Sequence, residues 1–138
     1  MLKISTKALW RVLDANFNRA KEALRVCEDV TRFVMDAPKL TAGYKKVRHG
    51  LNEALVVLGK EELLKARDVV GDVGRKTTGS ESKRADIKSI FYANSQRAKE
   101  SLRVLEECTK LLNIKTAERL TRLRYTVYDL EKEAFSRL

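Results

Sequence analysis

Two triplets of residues in this chain have the types and spacing to hold an anionic ligand. Asn16, Arg19 and Glu22 stand three apart, and Asn94, Arg97 and Glu100 repeat the pattern. Residues three or four apart share a face of a helix, so each triplet would present a carboxamide, a guanidinium and a carboxylate in one row. A guanidinium grips phosphate through two parallel N–H bonds. A carboxamide offers both a donor and an acceptor to a heterocycle edge or a phosphate. A carboxylate orients the arginine or touches a metal ion.

The triplets lie inside a longer duplication. DANFNRAKEALRVCEDVTRFV, residues 14–34, aligns without a gap on YANSQRAKESLRVLEECTKLL, residues 92–112, at a constant offset of 78. Self-similarity of this density marks a repeated structural unit. At about 100° per residue, Leu13, Ala20, Leu24, Cys27 and Val30 form one broad apolar arc. Asn16 falls in the middle of that arc, Arg19 within it and Glu22 at its edge; Asn94 and Arg97 fall likewise among Phe91, Ala98, Leu102 and Leu105. A polar group facing a core costs about 1–3 kcal/mol unless something satisfies it, and an arginine cannot escape by losing its proton. Two readings are open. In one, a buried Asn–Arg–Glu network keeps two halves of a bundle in register, with Arg19 and Arg97 fully paired to their glutamates. In the other, both arginines converge on a shared axis and line a cleft.

The elements that must position these residues are helices. Ser5 or Thr6 can cap a first helix reaching about Met35, where Asp36-Ala37-Pro38 breaks it. A second spans about Leu40 to Leu58 on the stripe Tyr44, Val47, Leu51, Leu55, with Arg48 at its border and His49 outside it. Gly59 ends it, and a short helical turn follows at Glu61 to Ala66. A third long helix is expected from about Arg84 to Leu112. Thr116 can cap a fourth, running to about Arg137, on which Arg124 borders the stripe as Arg48 does on the second. No strand pattern of useful length appears. The expectation is one all-α domain over residues 1–138: a four-helix bundle of two duplicated helical hairpins (about 6–58 and 84–138) related by pseudo-twofold symmetry.

Residues 67–82, RDVVGDVGRKTTGSES, interrupt the helical pattern. Gly71, Gly74 and Gly79, with Thr77, Thr78, Ser80 and Ser82, read as loop. Structureless connections this long inside a domain are usually functional or disordered. Asp68 and Asp72 can offer oxygen ligands to Mg²⁺, and Arg67, Arg75 and Lys76 can meet phosphate. No Walker-type phosphate loop is present; a plain surface linker is the other reading.

Composition narrows the class. A net charge of +10 with 35% charged residues suits polyanions or phosphorylated metabolites, and equally a solvated surface. No run of about 18 apolar residues and no signal-peptide pattern at MLKISTKALW is present, so a cytoplasmic protein without a membrane span is expected. Cys27 and Cys108 lie on the inferred core faces, which suits reduced thiols. They show no metal spacing, and the single histidine completes no cluster. The repeated arginines sit on core-facing arcs rather than an outer stripe, so nucleic acid is an unlikely partner. The broad apolar arcs allow a homodimer.

DANFNRAKEALRVCEDVTRF, Arg48-His49, Arg67-Asp68, Gly71-Asp72-Val73-Gly74 and ANSQRAKESLRVLEE together resemble one family over about residues 8–135. It is the monofunctional hydroxymethylpyrimidine-phosphate kinase, a small domain often fused ahead of bacterial thiamine-phosphate synthase. The resemblance implies phosphoryl transfer from ATP, with Mg²⁺, to 4-amino-5-hydroxymethyl-2-methylpyrimidine phosphate. It also implies action alone or beside a separate thiamine-phosphate synthase. Under that reading Arg19, Arg97 and Asp72 are the catalytic candidates. Asn16, Glu22, Arg48, His49, Arg67, Lys76, Asn94, Glu100 and Arg124 are candidates for substrate or phosphate binding, and Asp68 and Asp72 for Mg²⁺. The duplication adds the expectation of two equivalent pockets that have diverged, one for nucleotide and one for the pyrimidine phosphate. The alternative, from a different class, is a ligand-binding or regulatory module that senses a phosphorylated thiamine precursor without catalysis.

Overall fold

The computed structural model describes residues 4–77, 79 and 82–138; Thr78 and Ser80, read above as loop, lie outside them. Five α-helices follow in order: α1 (Thr6–Asp29), α2 (Pro38–Leu58), α3 (Lys60–Ala66), α4 (Ile87–Thr109) and α5 (Ile114–Phe135). No strand occurs among the described residues. α1 packs mainly on α4, α4 on α5, and α2 on both α1 and α5, while α3 lies on α1. Leu13, Phe17, Leu24, Tyr44, Leu51, Phe91, Leu102 and Leu120 are fully buried between them. Each such side chain withdraws enough apolar area to contribute about 1.5–3 kcal/mol.

Several helix ends differ from expectation, each for a local reason. Pro38 does not merely end the first helix; it opens α2 at the position where a missing N–H costs nothing. α1 does not continue as regular α-helix to Met35 but widens into a π-helical turn, Val30–Val34. There Thr31 donates its hydroxyl to the Glu28 carbonyl at 2.8 Å and meets the Thr41 hydroxyl at 3.0 Å, tying the turn to α2. α4 begins at Ile87 because Asp86 caps it, accepting from the Ser89 N–H at 2.7 Å, with Ser89 returning a bond to Asp86. Asn113, not Thr116, caps α5: its side chain accepts from the Thr116 N–H at 3.0 Å. Gly59 ends α2 as expected, in the left-handed region at φ 115° that favours glycine.

α2 carries two glycines whose function is packing. A Cβ on Gly43 would stand 2.6 Å from a methyl of Leu130, and one on Gly50 would stand 2.8 Å from a methyl of Leu123. Both spacings are seven residues, so two leucine knobs of α5 seat against two bare stretches of α2. A mid-helix glycine costs about 0.5–1 kcal/mol against alanine, a loss smaller than that of forcing the helices apart. Gly50→Val is expected to destabilise the protein by about 1–3 kcal/mol, read as a lower urea midpoint with unchanged m-value.

Candidate functional site

Where α1 and α4 pack together, both triplets face one space. Asn16, Arg19, Glu22, Asn94, Arg97 and Glu100 line a single cleft of about 440 Å³, with Ala23, Ser101 and Val104 as its floor and sides. The expectation of two equivalent pockets is corrected here, because the two copies of the motif build one cleft in common. Helix packing explains this. Ala20 and Ala98, both fully buried, put small side chains on the facing surfaces, and Cys27 Sγ reaches the Phe91 carbonyl at 4.0 Å. The C-terminal half of α1 therefore lies beside the start of α4, an antiparallel pair that brings both middles together.

Arg19 and Arg97, placed by periodicity inside core-facing arcs, are exposed at the cleft mouth. Neither they nor Glu22 and Glu100 take part in any ion pair among the described residues. That outcome is opposite to a closed structural network. Asn16 is only 4% exposed. Its Nδ2 donates to the Val12 carbonyl one turn back at 2.8 Å, and Asn94 Nδ2 does the same to Ile90 at 2.9 Å. Each carboxamide is thereby anchored by one N–H, leaving its oxygen and second N–H for a ligand. The cleft thus presents two free guanidinium groups, two pre-oriented amides and two carboxylates.

Arg48 and Arg124 are placed differently. Arg48 makes a two-pronged pair with Glu28, through Nε to Oε2 and Nη2 to Oε1 at 3.1 Å. Arg124 Nε donates to Glu106 at 2.9 Å. Glu28 and Glu106 are the same position in the two copies, so each hairpin carries the same buried bolt between its helices. Neither arginine lines the central cleft. Burial alone pushes the Glu28 carboxyl up, but the Arg48 hydrogen bond and the charges of Arg48, Arg25 and Lys45 outweigh it and hold the group below its ordinary value. Glu106 shows the same balance: burial raises it, and bonds from Arg124 and Thr121 with the charges of Arg124 and Arg103 lower it further. His49 and Lys76 are exposed and line neither the central cleft nor the cavity beside it.

That second cavity, about 550 Å³, lies between α1 and the segment after α3. Asn16 and Arg19 form its boundary with the central cleft, and Arg11, Arg67, Asp68 and Asp72 line its other sides. Arg67 reaches it by a bidentate pair with the buried Asp14, at 2.8 and 2.9 Å, which moors the start of the loop to α1. That hydrogen bond also raises the Arg67 guanidinium further above its already high value. Asp68 Oδ1 accepts from the Gly71 N–H at 2.8 Å and Asp72 Oδ1 from the Gly74 N–H at 2.9 Å. Each carboxylate keeps its second oxygen without a hydrogen-bond partner among the described residues. No group of three or more His, Cys, Asp or Glu that could hold a metal occurs among the described residues. The donors present fit Mg²⁺, which binds through one or two carboxylates completed by substrate phosphates and water, and do not form an all-protein cage.

Cys27 is buried, and burial together with the nearby Glu131 charge pushes its thiol up to about 12, so it is no nucleophile. No described helix is long and apolar enough to cross a membrane.

Sequence comparison adds the last observations. A thiamine-phosphate synthase from Nostoc punctiforme is 40% identical over 126 residues, 91% of this chain and 35% of that protein. One from Synechocystis sp. is 39% identical over 132 residues, 95% and 37%, and one from Rhodopirellula baltica 37% over 134 residues, 96% and 36%. The chain therefore spans little more than a third of the length of these relatives, all named as synthases rather than kinases. No solved structure matches it significantly. The model of the ThiD2 family matches residues 11–133, nearly the whole helical domain including the cleft, and the chain belongs to that family.

Proposed function

We propose that the chain is an enzyme of thiamine biosynthesis that transfers the γ-phosphoryl group of ATP to 4-amino-5-hydroxymethyl-2-methylpyrimidine phosphate, yielding the pyrophosphate and ADP. The carrying observation is the convergence of two arginines without an ion pair among the described residues, Arg19 and Arg97, with two anchored carboxamides on one cleft. The family match and the synthase relatives support the pathway. The proposal includes the symmetry read from sequence: two hairpins forming one four-helix bundle, with a pseudo-twofold axis through the cleft.

The chemistry asks little covalent work of the protein. The bond from γ-phosphorus to the bridging β-oxygen breaks, and one forms to an oxygen of the acceptor phosphate. That oxygen is already ionised, so no general base is needed. Catalysis is then positioning plus neutralisation of spread negative charge. Arg19 and Arg97 supply cations that need not be freed from carboxylates first. Asn16 and Asn94 hold the pyrimidine edge, and Glu22 and Glu100 orient the arginines or touch the metal ion. Asp68 and Asp72 would hold Mg²⁺, which supplies charge neutralisation on the nucleotide phosphates when bound. The product is consumed by thiamine-phosphate synthase chemistry, supplied by a separate protein or by chain beyond this domain.

A binding or regulatory module is the second reading, favoured by the lack of a recognised kinase loop in the sequence. Turnover separates the two. Incubation with Mg-ATP and the pyrimidine monophosphate, followed by mass spectrometry, is expected to yield ADP and pyrimidine pyrophosphate in equal amounts, and none with the unphosphorylated alcohol. Ligand-induced thermal stabilisation without ADP would establish the binding module instead.

A further inference from the structure

We propose, on the phosphoryl-transfer reading, that the two adjoining cavities are separate subsites. The cavity between α1 and the loop takes the Mg-nucleotide, the central cleft takes the monophosphorylated heterocycle, and Arg19 spans the boundary where phosphoryl passes between them.

The division follows from what each cavity offers. The central cleft is built from both repeats and is duplicated in its polar groups, an amide and a guanidinium from each side. That arrangement suits a small ring bearing one phosphate. The flanking cavity is larger, about 550 Å³. It carries Asp68 and Asp72, whose free oxygens suit a cation that travels with a polyphosphate. Arg11 and Arg19, both without an ion-pair partner among the described residues, face the same space and can meet a chain of phosphates. Ala8, Val12, Ala15 and Val69 provide an apolar wall for a base.

The second repeat lacks the residues for an equivalent flank. Arg11 corresponds to Ser89, which is engaged in capping α4. Asp14 corresponds to Tyr92, whose ring packs against Phe135 at 6.1 Å. A cation-rich cavity beside α5, lined by Lys99, Arg103 and Arg124, has all three paired: Lys99 with Glu131 at 2.6 Å, Arg103 with Glu107 at 3.4 Å and Arg124 with Glu106 at 2.9 Å. Among the described residues, the flank of the first repeat, with the loop that follows it, joins cations outside any ion pair to the carboxylates of Asp68 and Asp72, and the cavity beside α5 does not. Arg19 borders both subsites, whereas its repeat partner Arg97 lines only the central one.

The test is calorimetric binding of two probes to the full chain, Mg²⁺ with a non-hydrolysable ATP analogue and, separately, the pyrimidine monophosphate. Each lost charge-assisted contact should weaken its ligand about tenfold to a hundredfold. Arg11→Ala and Asp72→Asn are expected to weaken the nucleotide by that amount and leave the pyrimidine phosphate within about twofold. Arg97→Ala and Asn94→Ala are expected to do the reverse, and Arg19→Ala to weaken both. Asp68→Asn replaces Asp72→Asn if the latter melts early. Wild-type protein that turns over, with Arg11→Ala and Asp72→Asn leaving nucleotide affinity intact or with Arg97→Ala weakening the nucleotide alone, overturns the division but not the kinase. Wild-type protein that binds no nucleotide and forms no ADP overturns both.

Discussion

Arg19→Ala is expected to lower kcat for phosphoryl transfer by about 10²- to 10³-fold and to leave the thermal unfolding midpoint unchanged. The stability half follows from its surroundings: Arg19 is exposed and makes no ion pair among the described residues, so its removal orphans no buried charge. The kinetic half follows, on the proposed transfer, from its place on the wall common to both cavities, where charge would accumulate as the phosphoryl group moves. A fixed cation there is worth most in the transition state and less in either ground state, so kcat suffers more than KM. Arg19→Lys should recover only part of the loss, because an ammonium retains the charge but not the planar fork that meets two phosphate oxygens at once. Arg97→Ala should act mainly by raising KM for the pyrimidine phosphate. Steady-state kinetics with each substrate varied in turn checks this; a variant at Arg19 within a few-fold of wild type would remove that residue from the chemistry.

The largest effect on stability is expected at the buried bolts. Glu28→Ala or Glu106→Ala should cost about 3–5 kcal/mol, since each strands a guanidinium between two helices. That is a large share of the roughly 5–15 kcal/mol that holds a typical domain folded. Glu28 is 3% exposed at its side chain and Arg48 13%, so little water is available to compensate. Replacing both partners, Glu28→Leu with Arg48→Leu, should cost far less than either single change, because no unpaired charge remains. The pairs also set a pH dependence. Both carboxyls are held below their ordinary value of 4.5 in the folded state. Their contribution is therefore fully present above that ordinary value and is lost as pH falls through the lowered, folded one. Urea midpoints at neutral pH and near the bottom of the carboxylate range should differ more for the wild type than for the double leucine variant.

The residues that bear on function divide by how far their partners lie along the chain. Anything set within a few residues was readable. Apolar spacing placed all four long helices and the short α3, and Gly59 ended α2 because only a residue without a Cβ turns left-handed there at little cost. The gapless repeat singled out Asn16, Arg19, Glu22 and their copies. What the helical wheel could not distinguish was a core-facing arc from a cleft-facing one: both lie on the inner side of a helix, and only the way α1 packs on α4 buries Ala20 and Ala98 while leaving Arg19 and Arg97 in water. The same limit explains Arg48 and Arg124. Each looked like a free cation bordering a stripe, and their near-equal offset to the repeated Glu28 and Glu106 was the one sign that they pair. Nothing local marks Gly43 and Gly50; Leu130 and Leu123 of α5 fill the space a Cβ would need there. Asp14 and Arg67, 53 positions apart, meet only because α3 folds back on α1. Sequence by itself determined the helices, the duplication and the polar rows. Tertiary structure decided which charges are spent on each other and which remain for a ligand, because that depends on distances between helices that no local periodicity encodes.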